Sequence, residues 1–81
     1  MKIISTSRQL GSLVKRIRKA AHLTQKELAA ASGTGIRFIQ ELEKGKESCE
    51  LEKALIVASM LGIRLEVRLP HIVSVHANAQ R

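Results

Sequence analysis

The run from Leu23 to Gly45, LTQKELAAASGTGIRFIQELEKG, constrains the chain more than any other stretch. Thr24 is followed three residues later by Glu27, the pattern of a reciprocal capping box in which each side chain satisfies a backbone donor at a helix start. Leu23 before the cap and Leu28 after it have the spacing of a hydrophobic staple across the same turn. Ala29, Ala30 and Ala31 carry the helix on to Gly33, a residue type that readily takes the left-handed conformation of helix ends. A second helix then begins at Thr34 or Gly35 and ends at Gly45. At about 100° per residue, its Phe38, Ile39 and Leu42 share one arc of roughly 100°, a stripe to bury. Arg37, Gln40 and Lys44 cluster on the opposite side, flanked by Ile36 and Glu41.

Two short helices around a glycine turn make a helix-turn-helix, whose second helix enters the major groove of DNA. The outer face has suitable chemistry. Arginine forks onto guanine, glutamine onto adenine, and lysine neutralises phosphate. Any amphipathic surface helix shows a polar outer face; the capped, glycine-punctuated helix in front of this one tips the balance towards DNA.

The remaining segments read as support. Thr6 or Ser7 caps a first helix running to about Ala21, with Leu10, Leu13, Val14, Ile17, Ala20 and Ala21 recurring at three and four. Gly11 and Ser12 weaken it locally. Lys15, Arg16 and Lys19 lie off that stripe. Beyond a Lys46–Glu47 loop, Ser48 is the candidate cap of a fourth helix, with Glu50 and Glu52 in its first turn to suit the helix dipole. Leu51, Ala54, Leu55, Ala58, Met60 and Leu61 form its expected packing stripe, and Gly62 ends it.

Residues 63–69 then alternate, apolar at odd numbers and charged at even ones, which is the pattern of a half-buried strand bounded by Pro70. A lone strand leaves costly unpaired edges. Pairing of Ile63, Leu65, Val67 and Leu69 with the same strand of a second copy removes them; a hairpin with Lys2, Ile3 and Ile4 is the alternative. The expected fold is mainly α: four to five helices with a C-terminal β-strand pairing in a homodimer. Residues 1–70 form the DNA-binding and dimerisation domain, and residues 71–81 a flexible tail.

A chain of 81 residues supports one domain. So small a domain buries only about 60% of its unfolded surface, which a second copy would augment. One Phe, no Trp and no Tyr leave the core to aliphatic residues and remove the aromatic platforms of most single-strand and RNA-loop binders. The net charge is +7, and no acid precedes Glu27, whereas Lys2, Arg8, Lys15, Arg16, Arg18, Lys19 and Lys26 do. That asymmetry implies a polyanionic partner, and a ribosome or a membrane surface would draw the same charge. The single Cys49 makes no internal disulfide and suits a reducing cytoplasm. No signal peptide and no apolar run of about 18 residues is present. His22, Cys49, His71 and His76 lack the spacing of zinc ligands. Neither a nucleophile–base pair nor a phosphate loop is evident, so no enzyme activity and no cofactor are expected.

The pattern Leu23-Thr24-Gln25-x-Glu27-Leu28-Ala29-x-x-Ser32-Gly33, then Ile39, Leu42-Glu43-x-Gly45-Lys46, then Leu51, Leu55, Ala58 and Leu61-Gly62-Ile63 resembles the phage-repressor-type (Xre) helix-turn-helix domain. The likeness covers roughly residues 8–63. Within that superfamily, the short chain with a strand-like tail is similar to HipB-type antitoxins. The resemblance implies a phage-repressor-like fold in which Arg18 pairs with Glu43 and Gln25 holds a DNA phosphate.

With the residue chemistry, it gives an expected DNA-binding set of Thr24, Gln25, Lys26, Thr34, Gly35, Ile36, Arg37, Gln40, Glu41, Lys44 and Lys46. Arg37 and Gln40 are the expected base readers, Lys44 and Lys46 the phosphate contacts, and Ile36 a partner for a thymine methyl. Gly35 lacks the side chain that relatives often use at that place. Glu41 either accepts from cytosine or is neutralised by Lys44. A two-fold dimer would select a palindromic operator. By resemblance the chain is a prokaryotic, cytoplasmic, nucleoid-associated antitoxin and autorepressor. Its implied partner is a HipA-like kinase toxin, alone or with a further subunit. A free-standing phage or plasmid repressor and a protein-interaction or RNA-associated adaptor remain the alternatives.

Overall fold

The computed structural model describes residues 3–67, which form four helices: α1 Ser7–Ala20, α2 Gln25–Ser32, α3 Ile36–Glu43 and α4 Leu51–Met60. Each of the first two begins with a full capping box. At α1, Thr6 Oγ1 accepts from the Gln9 N–H at 3.1 Å while Gln9 Oε1 accepts from the Thr6 N–H at 3.2 Å. At α2, Thr24 Oγ1 accepts from the Glu27 N–H at 3.0 Å and Glu27 Oε1 accepts from the Thr24 N–H at 2.8 Å. Both boxes satisfy orphan donors of a first turn.

The turn between α2 and α3 follows from Gly33. Its φ of 70° is left-handed, a region that costs a residue with a Cβ about 1–2 kcal/mol. That conformation lets the Thr34 N–H reach back to the Ala29 carbonyl at 3.0 Å and close the end of α2. α1 ends by the same device on a less suitable residue. His22 has φ 59°, and the Leu23 N–H returns to the Arg18 carbonyl at 3.1 Å.

α3 packs against both α1 and α2, and α4 closes over α2. Val14 of α1, Leu28 and Ala29 of α2, Ile39 and Leu42 of α3, and Ala54 and Val57 of α4 make one core, with Leu10, Phe38, Cys49, Leu61 and Ile63 against its margin. α1 crosses α3 at Gly11. A Cβ at Gly11 would overlap the backbone carbonyl oxygen of Leu42 and crowd that of Glu43. The residue that weakens α1 as an isolated helix is therefore what brings it close to α3.

Several expectations need correction. Ser48 does not cap α4; Glu50 occupies the cap position without a side-chain hydrogen bond, so only Glu52 of the two acids lies in the first turn. The packing stripe of α4 is turned from the expected one: Val57 is fully buried beside Ala54 and Ala58, while Leu51, Leu55 and Met60 are exposed. Small alanines let α4 approach α2 closely, and its longer side chains are left on the flanks. Ala20 and Ala21 at the end of α1 are exposed rather than buried. The described residues contain no strand, so no hairpin with Ile3 and Ile4 forms among them, and the expected strand over residues 63–69 runs beyond the described residues. Leu65 and Val67 stand exposed after Gly62. Among the described residues, a single copy offers that segment no strand to pair with. Lys2, Leu69, Pro70 and the tail 71–81 lie outside the described residues.

Candidate nucleic-acid interface

α3 is held at its C-terminal end by two ties to α1. In the first, Arg18 of α1 meets Glu43, the last residue of α3. Arg18 Nε donates to Glu43 Oε2 at 2.6 Å and Arg18 Nη2 to Oε1 at 3.0 Å, a two-pronged pair of the geometry that matches a guanidinium to a carboxylate. Arg18 Nη1 also donates to the Leu23 carbonyl at 2.8 Å, tying the entry of α2 into the same group. The two charged side chains are 8% and 3% exposed.

Burial pushes the Glu43 carboxyl up, but hydrogen bonds from Arg18 and Gln25 outweigh it and hold Glu43 below the usual carboxylate range. The hydrogen bond to Glu43 raises Arg18 in turn, against the opposing effect of burial. A second tie runs from Ser7 Oγ to the Gly45 carbonyl at 2.9 Å, where the backbone of Arg8 lies against Gly45. The start of α1 thus docks on the turn after α3 and brings the exposed Arg8 to that end of the helix. Sequence spacing gave no sign of this contact.

The other expected site residues fall on or beside α3. Ile36, Arg37, Gln40 and Lys44 are exposed, opposite buried Ile39 and Leu42. No side chain caps the start of α3 at Gly35; the Phe38 N–H turns back to the Gly35 carbonyl at 3.1 Å, which leaves the N–H groups of Ile36 and Arg37 for an anion. Thr34 is half-buried, its hydroxyl 3.0 Å from that of Ser32. Lys26 is exposed on α2, whereas Thr24 is committed to its cap.

Two side chains have partners within the chain besides those expected. Gln25 Nε2 donates to Glu43 Oε1 at 3.0 Å, which ties the amide expected at a phosphate to the buried pair and leaves its second N–H. Glu41 is neutralised by Lys46, 3.2 Å from Oε1, and by Arg37, 3.4 Å from Oε2, and not by Lys44. The hydrogen bond from Lys46 is the main reason that Glu41 sits below the usual carboxylate range. Burial raises the Cys49 thiol, which keeps it from being a ready thiolate. Among the described residues, no helix is long and apolar enough to cross a membrane.

Comparison with known proteins fits this geometry. A helix-turn-helix family profile matches residues 14–67. An uncharacterized HTH-type transcriptional regulator of Sinorhizobium fredii, y4mF, is 41% identical over 69 residues, spanning 85% of this chain and 91% of its own. Among solved structures, a chain of the HipB–O4 20mer complex superposes with a TM-score of 0.77 at 22% identity, over 85% of this chain and 97% of that one. That likeness is one of fold. The family is of DNA-binding transcription regulators and is not an enzyme family. The chain belongs to the Xre-type helix-turn-helix family and is a DNA-binding transcriptional regulator.

Proposed function

We propose that this regulator is an antitoxin and autorepressor that binds a palindromic operator as a homodimer, reading it with α3. The observation that carries the proposal is the solvent face of α3. Ile36, Arg37, Gln40 and Lys44 project from a helix whose opposite side is anchored by Ile39, Leu42 and the Arg18–Glu43 pair. Arg37 and Gln40 read base edges, Ile36 meets a thymine methyl, and Lys44 and Lys46 bind phosphates together with Lys26 and the open start of α3. Thr24, Gln25, Thr34, Gly35 and Glu41 border this surface. The Arg18–Glu43 pair sets the angle at which α3 is presented.

Dimerisation is supported by what a single copy leaves uncovered. Leu51, Leu55, Ile56, Met60, Leu65 and Val67 are all more than 40% exposed, an unusual amount of aliphatic surface for so small a domain. Antiparallel pairing of the segment starting at Ile63 would bury Leu65 and Val67 and satisfy its backbone groups. The antitoxin role and its HipA-like kinase partner rest on the likeness to HipB. The Sinorhizobium relative is named simply as a transcriptional regulator, and a free-standing repressor is the second reading.

A reporter driven by the chain's own promoter tests repression. It should be silenced by the wild type and released by Arg37→Ala. Co-purification with the product of an adjacent kinase gene, against its absence, separates the antitoxin from the free-standing repressor.

A further inference from the structure

Three charged side chains at the edge of the proposed reading face are tied into one cluster. Glu41 faces Arg37 one turn before it and Lys46 beyond the end of α3, using a different carboxylate oxygen for each, at 3.4 and 3.2 Å. Arg37 is 88% exposed and approaches Glu41 through Nε, which leaves its two terminal amino groups free to fork. Two of the cations proposed to grip DNA are thus engaged before DNA arrives, by an acid on the same face.

We infer that Glu41 is a specificity-determining residue, a carboxylate that aims Arg37 at guanine and discourages Arg37 and Lys46 from binding phosphate at random sequences. The inference rests on the DNA-binding reading above. Phosphates are present on every duplex, and a free cation gains from any of them by releasing counterions. A cation already paired must exchange one anion for another and gains little. Glu41 itself is repelled by the phosphate backbone, a built-in penalty against the wrong partner.

At the correct site the balance differs. Arg37 keeps Glu41 on Nε while its terminal amino groups meet guanine O6 and N7, a bidentate contact that no phosphate run reproduces. Glu41 therefore costs non-specific binding more than specific binding.

The test uses a duplex enriched from a random pool by the wild-type protein, a scrambled duplex of the same composition, and a salt series. Glu41→Gln keeps the size and helix preference of the side chain and removes its charge. It should bind the scrambled duplex about tenfold more tightly and gain about twofold or less on the enriched duplex, so that their ratio falls about fivefold or more. The salt dependence on the scrambled duplex should steepen by about one unit for each cation set free.

Glu52→Gln is the control, since it adds the same net charge on α4 outside the cluster and should leave the ratio within about twofold of wild type. An unchanged ratio in Glu41→Gln, or an equal fall in Glu52→Gln, overturns the inference alone. If the wild type enriches no sequence at all, the reading of α3 as a base reader fails and this inference fails with it.

Discussion

Arg18 and Glu43, 25 positions apart, form a two-pronged buried pair that joins the last turn of α1 to the last residue of α3. Removing one partner of such a pair strands the other charge away from water, at a cost of about 3–5 kcal/mol. Glu43→Ala should therefore lose about that much in urea unfolding. Replacing both residues with apolar side chains of similar size, Arg18→Met with Glu43→Leu, should recover most of it. Strict additivity of the two single changes would show that the pair is not coupled. The apolar double variant should keep its fold and still bind DNA poorly, because the pair's role is to aim α3.

The same pair makes stability depend on pH in a defined direction. Glu43 is held below the usual carboxylate range by Arg18 and Gln25 despite its burial. A group with a lowered folded pKa stabilises fully above its unfolded value, about 4.3 for glutamate, and that contribution disappears as pH falls through the folded value. Wild type should lose urea resistance on acidification from about pH 5 downward. The double apolar variant should lose less of it over the same window.

Gly11 offers a test in which two effects oppose each other. Alanine is favoured over glycine in a helix interior by about 1 kcal/mol. Here its Cβ would collide with backbone at the end of α3, and overpacking of this kind costs about 1–3 kcal/mol. Gly11→Ala should thus destabilise the domain and lower its melting temperature. A raised melting temperature would mean that α1 and α3 separate without loss.

His22 is the reverse case. It is exposed and holds φ 59° at the end of α1, where glycine avoids the left-handed penalty of about 1–2 kcal/mol. Part of that gain returns as unfolded-chain entropy. His22→Gly should stabilise by roughly 0.5–1 kcal/mol, seen as a higher urea midpoint with an unchanged slope.

What could be read beforehand was whatever is written locally. Thr24 with Glu27, the stop at Gly33 and the stripe Phe38–Ile39–Leu42 depend on neighbours within a turn or two, and the structure has them in those roles. The rotation of α4 was not legible, because Val57 and Leu55 are equally apolar and only the close approach to α2 chooses between them. The partners of Gln25 and Glu41 were hidden for a related reason. A polar side chain on a helix start or edge has several anions or cations in reach, and tertiary placement decides which one it meets. Gly11 looked like a local weakness because the backbone it must admit belongs to a helix more than thirty residues away.

The exposed aliphatic residues after Gly62 predict assembly. Wild type should sediment as a dimer that dissociates on dilution, and Leu65→Asp with Val67→Asp should sediment as a folded monomer with weakened DNA binding. A double variant that remains dimeric would place the interface elsewhere.

The most direct test of the account is titration of a duplex from upstream of the chain's own gene beside a scrambled duplex, at several salt concentrations, for wild type and for Arg37→Ala with Gln40→Ala. The account predicts a preference of about a thousandfold or more at physiological salt for wild type. Each substitution should remove about 1–3 kcal/mol of that discrimination, while the weak binding of the scrambled duplex changes far less. Equal, steeply salt-dependent binding of both duplexes by wild type, unaltered in its ratio by the substitutions, would contradict it: the chain would be holding phosphate through its charge alone, with α3 reading nothing.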